Sequence, residues 1–339
     1  MKKYLLSFLS LFICIVSSAQ TARISLEHNG TTTIYTALQA AYNAAVNDDV
    51  IILPGGNFTI ADSIKKRIKI LGAGICPDSS AVTGVTFISS GIKIGTGANR
   101  AQFEGIIFSG SNYISGFSHP SLMNYFGDSV VFNKCKFNYG LSSYKTIIVK
   151  DCVLLGLGSL NSLVTNCIIY SFPSGISGGI GFDQTQINNC IILNNLSANF
   201  CQIQNCILIS PTISGCSNNI LNPLSIGSII FVNSNSYCNS NPPYSSNLVS
   251  GAIVVNSITD IFTTNVNTTW SCTLDYHLKS TCPGKNAGVD GTDIGIYGTA
   301  FPCSEGWVPS NPHIMFKNVS STNTSDGKLN VNFKVRKGN

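Results

Sequence analysis

The segments "VTNCIIY" (164–170), "INNCIIL" (187–193) and "IQNCILI" (203–209) share one pattern: apolar, variable, Asn, Cys, variable, apolar. With the Asn position generalised to a bend residue and the Cys position to an inward-facing residue, the pattern also fits residues 103–108, 132–137 and 149–154. The inward residues of the six copies are Ile106, Cys135, Cys152, Cys167, Cys190 and Cys206. A short unit that recurs in this way indicates a repeat architecture.

Each copy of the pattern predicts a strand, a bend and a second short strand. Asn, Asp and Gly are favoured at such a bend because they tolerate positive φ. Strands this short cannot bury an apolar face alone, so we expect successive units to stack about 4.8 Å apart through backbone hydrogen bonds. The inward residues then form a structural core ladder of Ile106 and the five cysteines. Because Cys is a small and readily buried side chain, we expect these thiols to be buried and reduced.

Two further segments carry a resemblance to a known family. Residues 31–60 read as an amphipathic helix, with Ile34, Leu38 and Ala41 on one face, followed by a first strand and a Pro-Gly turn; residues 66–74 read as the next strand and a Gly-rich turn. With the repeats and residues 275–298, these segments resemble the right-handed parallel β-helix family, the pectate-lyase-like solenoids of secreted bacterial proteins. The resemblance implies an all-β, right-handed parallel β-helix solenoid over 20–303, with an N-terminal capping helix over about 33–47.

The pattern changes after residue 303. "HIMFKNV" (313–319) and "KLNVNFKVRK" (328–337) alternate apolar and polar residues, and Asp326-Gly327 between them favours a turn. We predict a C-terminal β-hairpin extension over 304–339. We interpret this hairpin as a cap on the last coil, with a small appendage as the alternative.

The N-terminus has the pattern of an export signal. Lys2 and Lys3 precede an apolar run that ends in small residues, which predicts a signal peptide over 1–19 with cleavage near Ala19-Gln20 and a secreted or cell-surface protein. No later segment is long and apolar enough to predict a transmembrane segment in the mature chain. Removing the two lysines lowers the formal net charge from +5 to +3. The basic residues form no stripe, so we expect no nucleic-acid partner.

The cysteines and the paired aspartates bear on metal binding and on disulfide bonds. Of thirteen cysteines, Cys14 lies in the signal segment, and no CxxC or Cys–His spacing indicates zinc. Outside the repeat frame, Cys272, Cys282 and Cys303 lie in turn-rich sequence, and their disulfide state is left open. Asp290 and Asp293 lack the further oxygen ligands that a calcium cage requires, so we interpret them as turn residues. We predict no metal and no cofactor.

Candidate catalytic groups are few. The carboxylates of the central coils do not fall at equivalent repeat positions, so the sequence lacks the paired acids of a glycosidase. A lyase needs a basic group next to the sugar carboxylate, and Lys134 and Lys150 are the weak candidates for it, with Asp151 beside them. Aligning Cys135 on Cys152 places Lys134 directly beneath Asp151. This register predicts a solvated structural ion pair between the two units.

The longest insertion between coils carries aromatic residues. Tyr113, Phe117, His119 and Tyr125 lie within residues 111–129, and inserted loops on one face of a solenoid often form its binding surface. These four residues are weak ligand-binding candidates for a platform that stacks against sugar rings. The alternative is an irregular loop packed on its own aromatic residues.

The sequence therefore leaves three functions open. The favoured hypothesis is a carbohydrate-associated binding or structural module, with polysaccharide as its partner and no clear catalytic site. The second is a polysaccharide lyase that uses the Lys134–Lys150 basic patch. The third is an architectural surface protein or adhesin. The identity of any glycan and the oligomeric state are open as well.

Overall fold

The structure is a computed structural model that describes residues 23–61, 63–77, 84–110, 114–115, 127–138, 141–143, 145–155, 157–170, 182–214, 218–232, 247–264, 266, 269–320, 322 and 324–337. The residues in these ranges are mostly β. Their one α-helix is α1 (Leu38–Ala44), and their 3₁₀ turns are Thr96–Ala98, Ile258–Asp260 and Glu305–Trp307.

The strands form four sheets. Sheet one contains twelve strands: β1 Ile24–His28, β2 Thr31–Tyr35, β3 Val50–Ile52, β5 Lys69–Leu71, β7 Gln102–Glu104, β10 Val130–Asn133, β13 Ile147–Lys150, β16 Leu163–Thr165, β19 Gln186–Asn188, β22 Gln202–Gln204, β25 Asn219–Leu221 and β28 Leu248–Ser250. Sheet two contains ten: β4 Gly56–Phe58, β6 Thr86–Ile88, β8 Ile107–Phe108, β11 Lys136–Phe137, β14 Val153–Leu154, β17 Ile168–Ile169, β20 Ile191–Ile192, β23 Ile207–Leu208, β26 Leu224–Ile226 and β29 Ile253–Val255. Sheet three contains seven: β9 Ile114–Ser115, β12 Leu141–Ser143, β15 Leu157–Leu160, β18 Phe182–Asp183, β21 Leu196–Asn199, β24 Thr212–Ser214 and β27 Ile230–Val232. Sheet four is the antiparallel pair of β30 (His313–Val319) and β31 (Val331–Arg336).

The chain visits the first three sheets in turn. Strands β10, β11 and β12 belong to sheets one, two and three, and β13, β14 and β15 pair with them in parallel in the same three sheets. Within sheet one, β1 is the exception, because it pairs antiparallel with β2 and β3. Long parallel sheets visited in this order are compatible with an all-β parallel solenoid.

The bend residues of the repeat frame have the left-handed backbone that the pattern predicts. All six have positive φ: Gly105 (67°), Lys134 (50°), Asp151 (51°), Asn166 (53°), Asn189 (53°) and Asn205 (52°). Two more residues continue the series, Asn222 with φ 46° and Gly251 with φ 66°. The bend therefore recurs in eight successive units, although the later two lack the Cys that made the frame visible.

The inward residues form a column of buried thiols. The side chains of Cys135, Cys152, Cys167, Cys190 and Cys206 are 0% exposed, as is Ile106. The backbone N–H of each cysteine donates to the sulfur of the next one along the column, at 3.3 Å from Cys135 to Cys152 and 3.4 Å for the later steps. At the bend, strand pairing provides no acceptor for the backbone N–H of these cysteines, and the neighbouring sulfur accepts this hydrogen bond instead. Burial raises the pKa of the Cys152, Cys190 and Cys206 thiols, which keeps them protonated.

A second buried column follows the other corner of the repeat. Ser162, Thr185, Cys201 and Asn218 are each at most 3% exposed. The backbone N–H of Ser162 donates to Thr185 Oγ1 at 3.4 Å, and that of Cys201 donates to Asn218 Oδ1 at 3.0 Å. Mixed residue types fill this position, so the sequence pattern did not reveal it.

Two apolar clusters hold the sheets together. The first combines inward residues of all three sheets, such as Phe132 of β10, Phe137 of β11 and Leu141 of β12. The second lies on the outer face of sheet two, where Ile168 and Ile191 pack with residues after β29, among them Ile294 and Ile296. Strands such as β17 are therefore buried on both faces, since Ile168 belongs to the outer cluster and Ile169 to the inner one.

The N-terminal helix is shorter than predicted. Residues 33–35, placed in the capping helix by the sequence, belong to β2, and Ile34 is 53% exposed instead of lying on a buried helix face. Consecutive β-branched and aromatic residues at 31–35 favour a strand, and β1 supplies an antiparallel partner for it. Leu38, Ala41 and Tyr42 of α1 are buried in the inner cluster.

Residues 275–310, here termed the closing segment, run along the bend residues from the late units to the early ones. Asn222 Nδ2 donates to the Ala287 carbonyl at 3.1 Å, and Asn166 Nδ2 donates to the Phe301 carbonyl at 2.8 Å. Between them, Asn189 Nδ2 donates to the Gly295 carbonyl at 3.4 Å. The bend asparagines thus serve two purposes, because they permit positive φ and also hydrogen-bond the closing segment.

The C-terminal hairpin is the antiparallel pair of β30 and β31. Its exposed apolar side chains include Val331 (54%), Phe333 (59%) and Val335 (54%), and its end lies beside β13, in the middle of sheet one.

Candidate functional site

A cavity of about 650 Å³ opens where the closing segment crosses the end of β13. Lys150 and Asp151 form its wall on the sheet side. His277, Tyr297 and residues 300–305 form the opposite wall, and Arg336 and Lys337 at the end of the hairpin complete the rim. Three parts of the chain that are remote in sequence therefore meet here.

Lys134 and Asp151 lie in the register that the sequence predicts. Asn133 pairs with Lys150 across β10 and β13, so Lys134 and Asp151 are adjacent bend residues of successive units. The prediction of a solvated pair is wrong, because Lys134 is 1% exposed and Asp151 is 4% exposed. The closing segment covers both side chains, and Cys303, which is 4% exposed, lies over the same corner.

Burial shifts the pKa of three groups in this corner. It lowers the pKa of the Lys134 ammonium, against the opposing fields of Glu104 and Asp151. It raises the pKa of Asp151 to about 6, against the opposing effect of Lys150. It also raises the pKa of the Cys303 thiol, which is next to Asp151. Of the weak catalytic candidates, Lys134 is thus inaccessible, whereas Lys150 and Asp151 line the cavity.

Glu104 also belongs to this corner, although no sequence pattern predicted it. It ends β7, is 4% exposed, and accepts hydrogen bonds from the Ser310 backbone N–H at 2.5 Å and the Ser310 hydroxyl at 2.7 Å. The only signal in the sequence is a carboxylate immediately before the bend residue of one repeat. The burial of Glu104 depends on a segment 206 residues later, and no local pattern predicts that contact.

His277, which belongs to the opposite wall, is paired with Asp275. His277 Nδ1 lies 2.6 Å from Asp275 Oδ1, and the Thr263 hydroxyl donates to Asp275 Oδ2 at 2.6 Å. The His277 ring stacks on Tyr297 with ring centroids 3.7 Å apart and planes within 4°. Asp275 therefore orients the imidazole, while Tyr297 holds its plane beside the cavity. No local sequence pattern predicted chemistry for this stretch.

The cavity rim combines an exposed aromatic ring with cations. Phe301 is 74% exposed, and Lys150 Nζ lies 5.7 Å from its ring centroid. Asp293, by contrast, is neutralised by Lys285, whose Nζ lies 2.9 Å from its carboxylate. Within the ranges that the structure describes, Lys150, Arg336 and Lys337 form no ion pair with a carboxylate.

The aromatic loop candidates Tyr113, Phe117, His119 and Tyr125 lie outside the described residues, so their role stays a prediction. Asp290 and Asp293 act as turn residues: Asp290 Oδ1 accepts from the Thr292 N–H at 3.1 Å, and Asp293 Oδ1 from the Asn286 N–H at 3.0 Å. In the described part of the chain, no three His, Cys, Asp or Glu side chains are grouped to hold a metal ion.

Of the three cysteines whose disulfide state the sequence leaves open, one is in a disulfide. Cys272 is bonded to Cys76, 196 residues earlier, with 5.7 Å between their Cα atoms. Cys282 and Cys303 are buried free thiols. The bond ties the chain just before the closing segment to the connection between β5 and β6. No sequence pattern predicted Cys76 as its partner.

Comparison with known proteins adds no assignment: no protein-family model matches the chain, and no curated protein matches it. Among the helices described by the structure, none has the length and apolar character needed to cross a membrane.

Proposed function

We propose that this chain is a secreted or cell-surface right-handed parallel β-helix, similar to the pectate-lyase-like proteins, which binds an acidic polysaccharide in the cavity beside Phe301. The successive visits to three parallel sheets support the β-helix. Connections between parallel strands of one sheet are right-handed in about 98% of proteins, which supports the hand. The export signal supports the location.

The observation that carries the binding proposal is the exposed Phe301 ring beside Lys150. An aromatic ring that is 74% exposed at the rim of a polar cavity presents a flat apolar face to solvent. The C–H face of a sugar ring fits such a surface, as in aromatic stacking contacts generally. The cations of the rim then attract a carboxylate or sulfate on the same sugar.

Retention on immobilised glycans tests this proposal. We expect the protein to be retained by an acidic polysaccharide such as polygalacturonate or alginate, more weakly at high salt, and less by a neutral glucan. Phe301→Ala and Lys150→Gln should each reduce the affinity by about tenfold, which corresponds to about 1.4 kcal/mol. The matched controls are Phe333→Ala and Lys334→Gln on the hairpin, which should bind as the wild type does. Retention that is absent, or unchanged in both cavity variants, would overturn the proposal.

A polysaccharide lyase is the second candidate, and the Asp275–His277 pair favours it. A lyase needs a base that removes a proton next to the sugar carboxylate. His277 is oriented by Asp275 beside the cavity, whereas Lys134 is buried. Wild-type protein that releases unsaturated products absorbing ultraviolet light, and a His277→Ala variant that binds but releases none, would establish the lyase. Binding without product would support a binding module. The absence of both binding and product would support an architectural protein.

A further inference from the structure

The C-terminal hairpin presents an apolar face to solvent. Val331, Phe333 and Val335 alternate along β31, so their side chains lie on the same side of the strand. The strand register places Val319 opposite Val331 and Ile314 opposite Val335, and directly opposite residues share a face. These five side chains are here termed the apolar face, and their exposed fractions range from 37% for Ile314 to 59% for Phe333.

This apolar face has no cover within the part of the chain that the structure describes. Sheet four consists there of β30 and β31, and no third strand extends it. A two-stranded hairpin is marginally stable in water unless one of its faces packs against something else. Exposed apolar patches of this kind mark interaction sites with proteins or membranes. The face therefore indicates a binding partner.

The net charge of the chain is concentrated in the same hairpin. Residues 313–337 contain one carboxylate, Asp326, and five cations: Lys317, Lys328, Lys334, Arg336 and Lys337. Their formal net charge is thus +4, whereas that of the whole chain is +5. Asp326 is paired with Lys328 at 2.7 Å, so it does not offset the other four cations locally. A cluster of this sign favours an anionic partner.

The cations lie on both faces of the hairpin. Lys317 is opposite Phe333, within the apolar face, whereas Lys334 and Arg336 alternate with the apolar residues of β31 and lie on the other face. The side chains of all three cations are exposed. A partner that satisfies this arrangement must supply an apolar surface and must surround it with anions.

An anionic lipid bilayer has both properties. Its acyl chains accept apolar side chains, and its phosphates lie on every side of a hairpin that inserts at the interface. Lys317 can extend its ammonium group to those phosphates while its methylenes stay among the apolar side chains. A second copy of the chain fits less well, because face-to-face packing would bury the Lys317 ammonium groups without counter-charges. A polyanion without an apolar phase would leave the apolar face in water.

We infer that the hairpin attaches the protein to anionic lipid surfaces by inserting its apolar face, with the surrounding cations on the headgroup phosphates. This inference goes beyond glycan binding, since it supplies a means of holding the protein at a surface. The glycan proposal depends on Phe301 and Lys150, neither of which belongs to the hairpin. Arg336 and Lys337 also line the cavity, so substitutions at these two residues would not separate the two proposals.

Co-sedimentation of the full chain with lipid vesicles tests the inference. We expect binding to mixed phosphatidylglycerol–phosphatidylcholine vesicles, weaker binding at high salt, and little binding to pure phosphatidylcholine. Phe333→Ser should weaken the binding about tenfold, since it removes a large apolar side chain from the inserted face. Lys317→Gln and Lys334→Gln should each weaken it about fivefold, which is the contribution of one cation near an anionic surface.

Two residues outside the hairpin provide matched controls. Leu248→Ser removes an apolar side chain that is 63% exposed, and Lys93→Gln removes an exposed cation. Both variants should bind the vesicles as the wild type does. The two proposals can also fail separately. Phe301→Ala should reduce glycan retention and leave vesicle binding unchanged, whereas Phe333→Ser should do the reverse.

Tryptophan fluorescence identifies the face that inserts. Phe333→Trp places an indole on the apolar face, and Asn332→Trp places one on the opposite face of the same strand. After subtraction of the wild-type signal, anionic vesicles should shift the emission of Phe333→Trp to shorter wavelength and leave that of Asn332→Trp nearly unchanged. Equal shifts, or no shift in either variant, would overturn the insertion of this face.

The comparison of the two vesicle types decides the question with the wild-type protein alone. Wild-type protein that does not bind anionic vesicles, or that binds neutral vesicles equally well, would overturn the inference. Vesicle binding that Phe333→Ser and Lys334→Gln retain in full would also overturn it, because the contact would then lie elsewhere. Self-association that Phe333→Ser abolishes, without vesicle binding, would assign the face to a second copy of the chain instead.

Discussion

Asn166 Nδ2 donates a hydrogen bond to the carbonyl oxygen of Phe301, 2.8 Å away and 135 residues later in the chain. The same asparagine has φ 53° at the bend of its repeat. One side chain therefore fixes the local turn and fastens the closing segment that forms the cavity. Substitutions of Asn166 can therefore separate two energetic contributions, that of the positive φ at the bend and that of the hydrogen bond to Phe301.

Asn166→Gly should destabilise the protein by about 1 kcal/mol, because Gly accepts positive φ but loses the hydrogen bond to Phe301. Asn166→Ala should cost about 2–3 kcal/mol, since Ala also pays the penalty of a left-handed backbone. Urea denaturation midpoints measure both values. Asn161 is the control, with φ 51° and an exposed side chain at the other corner. Asn161→Gly should be close to neutral, and equal costs for Gly at both positions would contradict the role of the Phe301 contact.

The thiol column should be sensitive to loss of a sulfur. Cys167 Sγ accepts from the Cys152 backbone N–H at 3.4 Å, and its thiol donates to the Thr165 carbonyl at 3.1 Å. Cys167→Ala should cost about 2 kcal/mol in urea denaturation, because it leaves a small cavity and an unpaired buried N–H. Cys167→Ser, which keeps an acceptor, should cost less. An alanine variant as stable as the serine variant would show that the sulfur acceptor contributes nothing.

The disulfide between Cys76 and Cys272 should stabilise the protein by about 3 kcal/mol, because it cross-links residues 196 apart. Cys76→Ser, Cys272→Ser and the double variant should lower the melting temperature equally, since each breaks the same bond. Reductant should lower the wild-type melting temperature to that of the variants. Single-variant effects that add in the double variant would mean that the two cysteines are not bonded to each other.

Asp275 should make stability depend on pH in the acidic range. Burial raises its pKa, but hydrogen bonds from the Thr263 hydroxyl and the His277 N–H outweigh it, and the net pKa lies below the ordinary value. The stabilisation is therefore present above the ordinary pKa of Asp and is lost as the pH falls through the lowered pKa. Thr263→Val should reduce the loss of stability measured between about pH 5 and pH 2, and Thr263→Ser should preserve it. Identical pH profiles for the three proteins would exclude this role of Thr263.

The local sequence pattern predicts only part of the arrangement around Lys134. The alignment of Cys135 on Cys152 predicts that Lys134 and Asp151 are adjacent, because strand pairing between units allows one register for a buried face. It does not predict their burial, since the cover is supplied by residues 302–310, which lie outside the repeat. Glu104 and Cys303 were missed for the same reason. The cavity and the Asp275–His277 pair also depend on contacts between distant segments.

The sequence by itself determined the repeat unit, its bends and its column of thiols, because backbone conformation and the size of a buried side chain are local properties that recur with the pattern. The tertiary structure alone decided which face of the stack the closing segment covers, where the hairpin lies and which charged groups are buried. Those outcomes follow from the packing of side chains more than a hundred residues apart. The spacing of residues along the chain does not predict contacts between such distant segments.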